Sequence, residues 1–328
     1  MAKVITIGEI LVEVMAKKTG QGFLKPGEFL GPYPSGAPAI FIDQVARMGV
    51  SCGIIARVGE DDFGTLNIER LKDDGVDTSH IIKTPGYTTG TAFVTYFPDG
   101  GRQFIFHFTH SAAGVLGPED IDENYIGKAE YLHIMGCSLS ASESMRQAIL
   151  KAVGIAKSNG LKISFDPNIR PELLNVQSIR NVFDSIIECV DILLTGKEEA
   201  MQISRTDTLE EAISVFRTKR ISTIVVKNGS KGARVYSEDG FINIPPFNVE
   251  EVDPTGAGDC FDGAFIASLA DGMLPDKAAL TASAAGAFAV TKKGPMEGAF
   301  IKDDILMFMK NEKLGIEDVN ASWHYAQW

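Results

Sequence analysis

The chain has 328 residues, of which 45% are hydrophobic and 23% are charged, as in an ordinary folded globular protein. Its formal net charge of −12 argues against a nucleic-acid or anionic-membrane partner, because such partners require clustered Lys and Arg side chains. The apolar run at residues 4–7 is too short for a signal peptide or a membrane span.

The four cysteines are widely spaced and form no CxxC pair; they are Cys52, Cys137, Cys189 and Cys260. This spacing predicts neither a zinc site nor a dense disulfide framework. Reduced thiols are the simplest interpretation, and they predict a cytoplasmic location.

Two segments near the N-terminus predict a small β flap, which we call the lid. Residues 88–108 contain two runs of β-forming residues separated by Pro98-Asp99-Gly100-Gly101, a sequence that suits a tight turn. We expect this hairpin to pair with strands from residues 10–33 in a small antiparallel sheet. Helices are predicted at 39–48 and 63–73.

From residue 130 onwards, short apolar runs alternate with amphipathic ones, which predicts repeated β-α units around a mostly parallel sheet. We expect helices on both faces of this α/β sheet. The predicted strands are 131–135, 162–165, 191–194 and 223–226, and the predicted helices are 142–159, 178–189, 208–218, 260–270 and 276–291.

The segment Asp253-Pro254-Thr255-Gly256-Ala257-Gly258-Asp259 directly precedes an apolar helical run. Amides at a helix N-terminus have no intrahelical partner, so such a turn can hold a phosphate. Asp259 would then be placed to accept a proton. A tight turn with an acidic residue in the first helical turn is the simpler alternative, and neither a P-loop nor a dinucleotide glycine fingerprint is present.

Three further segments follow predicted strands at the edge where ligands bind in open α/β sheets. Gly229 and Gly232 suit either a nucleotide contact or a plain hairpin turn. Residues 166–170 combine an acid, an amide and a guanidinium, and suit either phosphate binding or a capped helix beside a surface Arg170. Glu199 suits either a hydrated magnesium ion or a solvated helix start.

Together these residues resemble the PfkB/ribokinase family of carbohydrate kinases, in the branch that includes fructokinase-like and tagatose kinase-like enzymes. Residues 253–261 are similar to the family's C-terminal signature, and residues 35–39, 46–49 and 58–64 are similar to its N-terminal glycine signature. The resemblance implies a single domain over residues 1–328. That domain would be a three-layer αβα sandwich with a mostly parallel sheet, its lid formed by insertions at about 10–33 and 88–108.

The resemblance also implies roles for individual residues. Asp259 falls on the catalytic base, and the amides of Gly256, Ala257 and Gly258 fall on the anion hole. The implied sugar contacts are Glu13, Gly36, Ala37, Phe108, Asn168, Arg170 and Asp259. The implied contacts to ATP are Lys227, Gly229, Gly232, Gly256, Gly258 and Ser283. Glu199 falls on the magnesium-linked residue, acting through water, and Asp253 and Thr255 fall where related kinases bind a monovalent cation such as K⁺.

Three positions depart from the family pattern. Ile40 replaces an Asn that binds sugar hydroxyls, and Gly196 replaces an Asn near the metal-linked Glu199. Phe108 stands where ketodeoxygluconate kinases place an Arg for the substrate carboxylate, which favours a neutral sugar over a sugar acid.

The expected activity is ATP-dependent phosphorylation of a hydroxymethyl group on a neutral ketohexose such as tagatose or fructose. The alternatives are a 2-keto-3-deoxygluconate kinase, a nucleoside or ribose kinase, and a sugar-binding regulatory protein without turnover. The resemblance further implies a homodimer formed through the lid, whose aromatic residues would otherwise be exposed. Burial of the lid against its own core is the alternative, and the relevant residues are Phe93, Tyr96, Phe104, Phe106 and Phe108.

Overall fold

The computed structural model describes residues 1–99, 101–169, 176–237 and 240–312. The aromatic tail residues Trp323, Tyr325 and Trp328, for which the sequence predicts docking on the core or on a partner, lie outside the described residues, as does Arg170. None of the described helices is long and apolar enough to cross a membrane.

The strands are β1 Val4–Ile7, β2 Leu11–Ala16, β3 Phe29–Ser35, β4 Cys52–Gly59, β5 Ile81–Thr84, β6 Gly90–Tyr96, β7 Arg102–His107, β8 Tyr131–Met135, β9 Lys162–Asp166, β10 Ile192–Gly196, β11 Thr223–Lys227, β12 Ala233–Ser237 and β13 Gly240–Ile244. The helices are α1 Ala37–Arg47, α2 Asp62–Asp73, α3 Glu123–Ile126, α4 Glu143–Ser158, α5 Gln177–Ile187, α6 Lys197–Ser204, α7 Leu209–Thr218, α8 Ala257–Ala270, α9 Pro275–Ala289 and α10 Lys302–Asn311. The predicted helices and strands are confirmed within a few residues. For helix α6, the sequence predicted only a helix start at Glu199, as one of two interpretations.

Within the described residues, the main sheet has nine strands in the order β13-β12-β11-β10-β9-β8-β1-β4-β5. Neighbouring strands from β11 to β5 in this order pair in parallel. At the other edge, β12 pairs antiparallel with β11, and β13 pairs antiparallel with β12. The chain continues from β1 to β4 on one side and later from β8 to β11 on the other. The strand order therefore reverses between β1 and β8, the place where open α/β sheets bind ligands.

Alternate strand residues point to opposite faces of this sheet and bury two separate hydrophobic clusters. On β1, for example, Val4 belongs to the cluster that includes residues of α1, α8 and α9, whereas Ile5 belongs to the cluster that includes residues of α4 and α5. Leu194 and Leu193 on β10 divide in the same way. The sheet is thus covered by helices on both faces, and the predicted three-layer α/β fold is confirmed.

The lid is a second sheet with the strand order β3-β2-β6-β7. Strands β2 and β3 pair antiparallel, as do β6 and β7, whereas the two central strands, β2 and β6, pair in parallel. The chain passes from β1 into the lid strands β2 and β3 and leaves the lid through α1. It returns to the lid in β6 and β7. The lid therefore lies over the carboxyl ends of the main strands. Strand β3 continues to Ser35, where the glycine turn into α1 begins.

Candidate active site

A cavity of about 690 Å³ lies where the lid faces the carboxyl ends of the main strands. Residues just past the ends of five parallel strands line it: Glu9 after β1, Cys137 after β8, Asp166 and Asn168 at β9, Glu199 after β10 and Lys227 at β11. Because these strands end at the same sheet edge, side chains distant in sequence meet around one volume. This is the position that the strand-order reversal predicts.

Asp259 lies in the first turn of α8 and lines this cavity. The helix starts after Gly256, whose φ of 80° is left-handed and whose Cβ, if present, would lie 2.3 Å from the carbonyl oxygen of Pro295. The amide of Cys260 donates to the Gly256 carbonyl oxygen, so the preceding amides belong to the open N-terminal end of the helix. One of them, that of Ala257, makes a long contact of 3.4 Å to the Pro254 carbonyl oxygen. The segment therefore combines a helix N-terminus with a carboxylate, as predicted.

The carboxyl group of Asp259 has an unusual acidity. Burial, together with the negative charge of Asp166, raises its pKa to about 7, although Lys227 and Arg102 act in the opposite direction. The side-chain amide of Asn168 donates to Asp259 Oδ1 over 3.4 Å. A carboxyl group with a pKa near neutrality is suited to proton transfer at physiological pH.

Lys227 forms the centre of a buried charge cluster at the back of the cavity. Its Nζ donates to Asp166 Oδ2 at 2.9 Å and to both oxygens of Asp262 at 3.0 Å. Burial alone would raise the pKa of Asp166, but Lys227 holds it below its usual value. Complete burial raises the pKa of Asp262 well above its usual value, and Lys227 offsets this only in part.

The sugar-side residues predicted from the sequence lie at the lid end of the same cavity, which Glu13, Gly36, Ala37, Ile40 and Phe108 line. Ser35 donates its hydroxyl to Glu13 Oε2 at 3.0 Å, while Glu13 Oε1 is buried without a hydrogen-bond partner among the described residues. Burial raises the pKa of Glu13 to about 7. A buried oxygen without a donor favours a ligand that supplies a hydroxyl group there.

The turn before α1 requires glycine. Gly36 has a φ of 110°, and a Cβ at this position would lie 2.6 Å from the Glu9 carbonyl oxygen. The chain of this turn therefore passes close to the end of β1, which brings Ala37 to the cavity wall.

A second cavity of about 290 Å³ lies on the other side of α8's first turn. The predicted nucleotide residues Lys227, Gly229, Gly232, Gly258 and Ser283 line it, as does Ala257. Lys227, Pro254 and Gly258 line both cavities, so the two volumes meet at the start of α8. Gly229 and Gly232 also form the hairpin turn from β11 to β12. The two interpretations of this segment, a nucleotide contact and a hairpin turn, are therefore compatible.

Glu199 caps the start of α6. Its Oε2 accepts the Gly196 amide and its Oε1 accepts the Ile169 amide, both at 2.8 Å. Burial raises its pKa, and Asp166 adds to the effect. Glu199 therefore lies at a helix start, as one of the two interpretations holds, but it is half-buried and hydrogen-bonded rather than solvated, and it lines the cavity.

Asp253 and Thr255 are already engaged with donors. Asp253 accepts the Tyr96 hydroxyl and the Thr255 amide on Oδ1 at 3.1 Å each, and the Gly294 amide on Oδ2 at 3.0 Å. Thr255 Oγ1 accepts Nη1 of Arg102 at 3.2 Å. These side chains therefore fit a monovalent cation poorly, because the guanidinium group would repel it.

The sequence assigned no role to three residues that the structure brings to the site, namely Glu9, Arg102 and Asp262, and it included Asp166 only as the acid of the 166–170 cluster. Glu9 accepts the Ser138 hydroxyl at 2.6 Å and the Cys137 thiol at 3.3 Å. A signal existed for Asp262, since a carboxylate inside an otherwise apolar helix requires a buried partner.

The lid aromatic residues divide between its two faces. Phe104, Phe106 and Phe108 line the cavity, and Tyr96 bonds to Asp253, so four of the five residues predicted to form a dimer contact instead face the protein's own core. The reason is the two-residue alternation of a strand. Phe93 pairs with Ile105 across the strands and lies on the opposite face.

The model of the pfkB family carbohydrate kinases matches residues 1–301 of the chain. The chain belongs to this family. Among its relatives, a 2-dehydro-3-deoxygluconokinase of Thermoproteus tenax is 34% identical over 301 residues, which cover 90% of this chain and 91% of the relative. A probable fructokinase-4 of Arabidopsis thaliana is 31% identical over 317 residues, 94% of this chain and 96% of the relative.

The fold of this kinase is also similar to that of an E. coli protein provisionally named ribokinase II, solved in complex with ATP and Mg²⁺. The TM-score is 0.91 with 48% identity, covering 95% of this chain and 100% of the other. The family resemblance and the ribokinase-like fold predicted from the sequence are thereby confirmed, and the chain is a carbohydrate kinase, a phosphotransferase.

We expect Lys227→Met to destabilise the kinase in a pH-dependent way. Without the ammonium group, the folded-state pKa of Asp166 is no longer held below its usual value, and that of Asp262, which is already raised, rises further, so stability falls as pH rises. Urea unfolding should show a loss of about 3–5 kcal/mol at pH 8, the range for a broken buried pair, and a smaller loss at pH 5.

Lys162→Met is the matched control, because Lys162 pairs with Asp191 at 2.8 Å on an exposed surface. It should change the free energy of unfolding little at either pH. Equal losses for Lys227→Met at both pH values would show that the cluster does not hold ionised carboxylates.

Proposed function

We propose that this kinase transfers the γ-phosphoryl group of ATP to a hydroxymethyl group of a neutral ketohexose such as fructose or tagatose. The observation that carries the proposal is the position of Asp259. It lies at the helix N-terminus where the two cavities meet, and its pKa is about 7. A proton acceptor and an anion-binding end of a helix are thus adjacent.

In this proposal, Asp259 accepts the proton of the sugar hydroxyl as the oxygen attacks the phosphoryl group. The amides of Gly256, Ala257 and Gly258 stabilise negative charge on the transferring oxygens. Lys227, a predicted nucleotide contact, lines the junction of the two cavities. The lid excludes water that would otherwise hydrolyse ATP.

The cavity chemistry supports a neutral sugar. Glu9, Glu13 and Asp259 present carboxyl groups to the cavity, which suit hydroxyl donors and oppose a substrate carboxylate. Phe108, at the position relevant for sugar acids, is buried against Phe106 with ring centroids 5.9 Å apart. One observation favours 2-keto-3-deoxygluconate as a second candidate: Arg102 places a guanidinium group in the same cavity.

The residues present fit a magnesium ion held through water. The carboxylate of Glu199 keeps lone pairs beyond its two backbone contacts and borders the cavity that also contains Lys227. When bound, magnesium would neutralise charge on the nucleotide phosphates. The monovalent cation at Asp253 and Thr255 stays a prediction that their side-chain contacts do not favour.

A homodimer through the lid also stays a prediction, as does the cytoplasmic location. The outer lid face supports the dimer, because Ile105 is 40% exposed and Phe93 contacts Phe29 and His107 edge-on at 6.2 Å. Light scattering should give the mass of a dimer for the native chain and of a monomer for Ile105→Asp. A monomer mass for the native chain would contradict the prediction.

We expect Asp259→Asn to lower kcat by ~10² or more while the protein stays folded and binds ATP, because the variant lacks the proton acceptor. For the native enzyme, kcat/KM should rise with pH through about pH 7, where Asp259 loses its proton. A coupled assay for ADP release measures both.

Asp303→Asn is the control, since Asp303 is an exposed carboxylate in the first turn of α10. It should leave turnover unchanged. Turnover of Asp259→Asn close to that of the native enzyme would rule out the proposed base.

A substrate panel tests the choice of sugar. We expect the highest kcat/KM for fructose or tagatose, compared with ribose, a nucleoside and 2-keto-3-deoxygluconate, because the acidic cavity favours hydroxyl groups over a carboxylate. A large preference for 2-keto-3-deoxygluconate would overturn the neutral-sugar assignment. Sugar binding without ADP release for any substrate would identify a binding protein instead.

A further inference from the structure

The lid hairpin contacts the segment that leads into α8. Tyr96, the last residue of β6, and Arg102, the first of β7, form the cross-strand pair at the end of the hairpin. The Tyr96 hydroxyl donates to Asp253 Oδ1 at 3.1 Å, and Arg102 Nη1 donates to Thr255 Oγ1 at 3.2 Å. Both contacts join the lid to the residues directly before the Gly256 turn.

Arg102 is an exposed residue at the wall of the cavity. Its guanidinium group contacts a neutral hydroxyl, and within the part of the chain that the structure describes it forms no ion pair with a carboxylate. It lines the cavity together with Gly256, Gly258 and Asp259. Burial and Asp166 raise the pKa of Asp259, whereas the charge of Arg102 acts to lower it.

The chemistry of the guanidinium group fits an anion at the start of α8. Its planar, five-donor fork matches the oxygens of a phosphoryl group. Thr255, which Arg102 contacts, is the residue directly before Gly256. An anion bound by the open amides of this turn would therefore lie between the helix N-terminus and Arg102.

We infer that Arg102 is a catalytic residue carried by the lid, which stabilises negative charge on the transferring phosphoryl group, and that the Tyr96–Asp253 hydrogen bond positions it. The inference rests on the proposed function. It also assigns a role to the guanidinium group other than binding a substrate carboxylate. Lid closure and completion of the transfer site are then the same event.

The test compares Arg102→Gln, Arg102→Lys and Tyr96→Phe in the native full-length kinase, with the preferred neutral sugar of the panel and with 2-keto-3-deoxygluconate. Arg102→Gln should lower kcat by about 10² or more, the loss typical of removing one charge-stabilising donor, while KM for the sugar changes little. Arg102→Lys should restore part of kcat, and Tyr96→Phe should cause a smaller loss.

The pH profile separates this role from a structural one. Removing a positive charge near Asp259 should move the rise of kcat/KM to higher pH in Arg102→Gln, whereas Arg102→Lys should keep it near the native position. Lys17→Gln is the control, because Lys17 is an exposed lysine directly after β2 that pairs with Glu28 outside the cavity lining. It should match the native enzyme.

Native kcat in Arg102→Gln would overturn the inference but would not affect the assignment of Asp259 as the base. The Asp259→Asn variant tests the proposed function separately. A rise in KM confined to the sugar acid would overturn it in favour of a substrate-carboxylate ligand. Should Arg102→Gln fail to fold by circular dichroism, Arg102→Lys decides. Native kcat in that variant would rule out a need for the guanidinium fork and overturn the inference.

Discussion

The Lys227 ammonium group, held between the carboxyl groups of Asp166 and Asp262, is the interaction on which the geometry of the site depends. It joins β11, β9 and α8, elements that are far apart in the sequence. Asp262 lies three residues after Asp259, slightly less than one helical turn, so the contact fixes the rotation of α8 about its axis. The orientation of the helix N-terminus, and with it the position of Asp259, follows from this contact.

Burial of this cluster is unfavourable unless every charge has a partner. The fold meets that condition, since Lys227 binds both carboxyl groups and the backbone N–H of Asn168 donates to Asp166 Oδ1 at 2.9 Å. The same environment separates the pKa values of neighbouring carboxyl groups, holding that of Asp166 low and raising that of Asp259 to about 7. An ion pair that stabilises the fold therefore also determines which carboxyl group can exchange a proton.

The sequence predicted the layers, most helices and strands, and the segment ending at Asp259, because periodicity and glycine turns are local properties. It could not predict the pairing of Asp262 with Lys227, which are separated by 35 residues and meet only when α8 packs on the sheet. The role of Arg102 was missed for a different reason. The strand of Arg102 was predicted, but the sheet face on which Arg102 lies depends on the register of pairing with β6. A register shift of one residue would place Arg102 on the opposite face.

That register gives the two faces of the lid different consequences. Arg102, Phe104, Phe106 and Phe108 enclose the cavity, whereas Ile105 on the same strand is exposed on the opposite face. Substitutions on the outer face can therefore alter association between copies without contacting the sugar. In the proposed function, α8 supplies the proton acceptor and the anion-binding amides, while the inner lid face and the glycine turn before α1 line the sugar end of the cavity. Under that proposal, a change of sugar requires substitutions on these two elements and leaves the start of α8 unchanged.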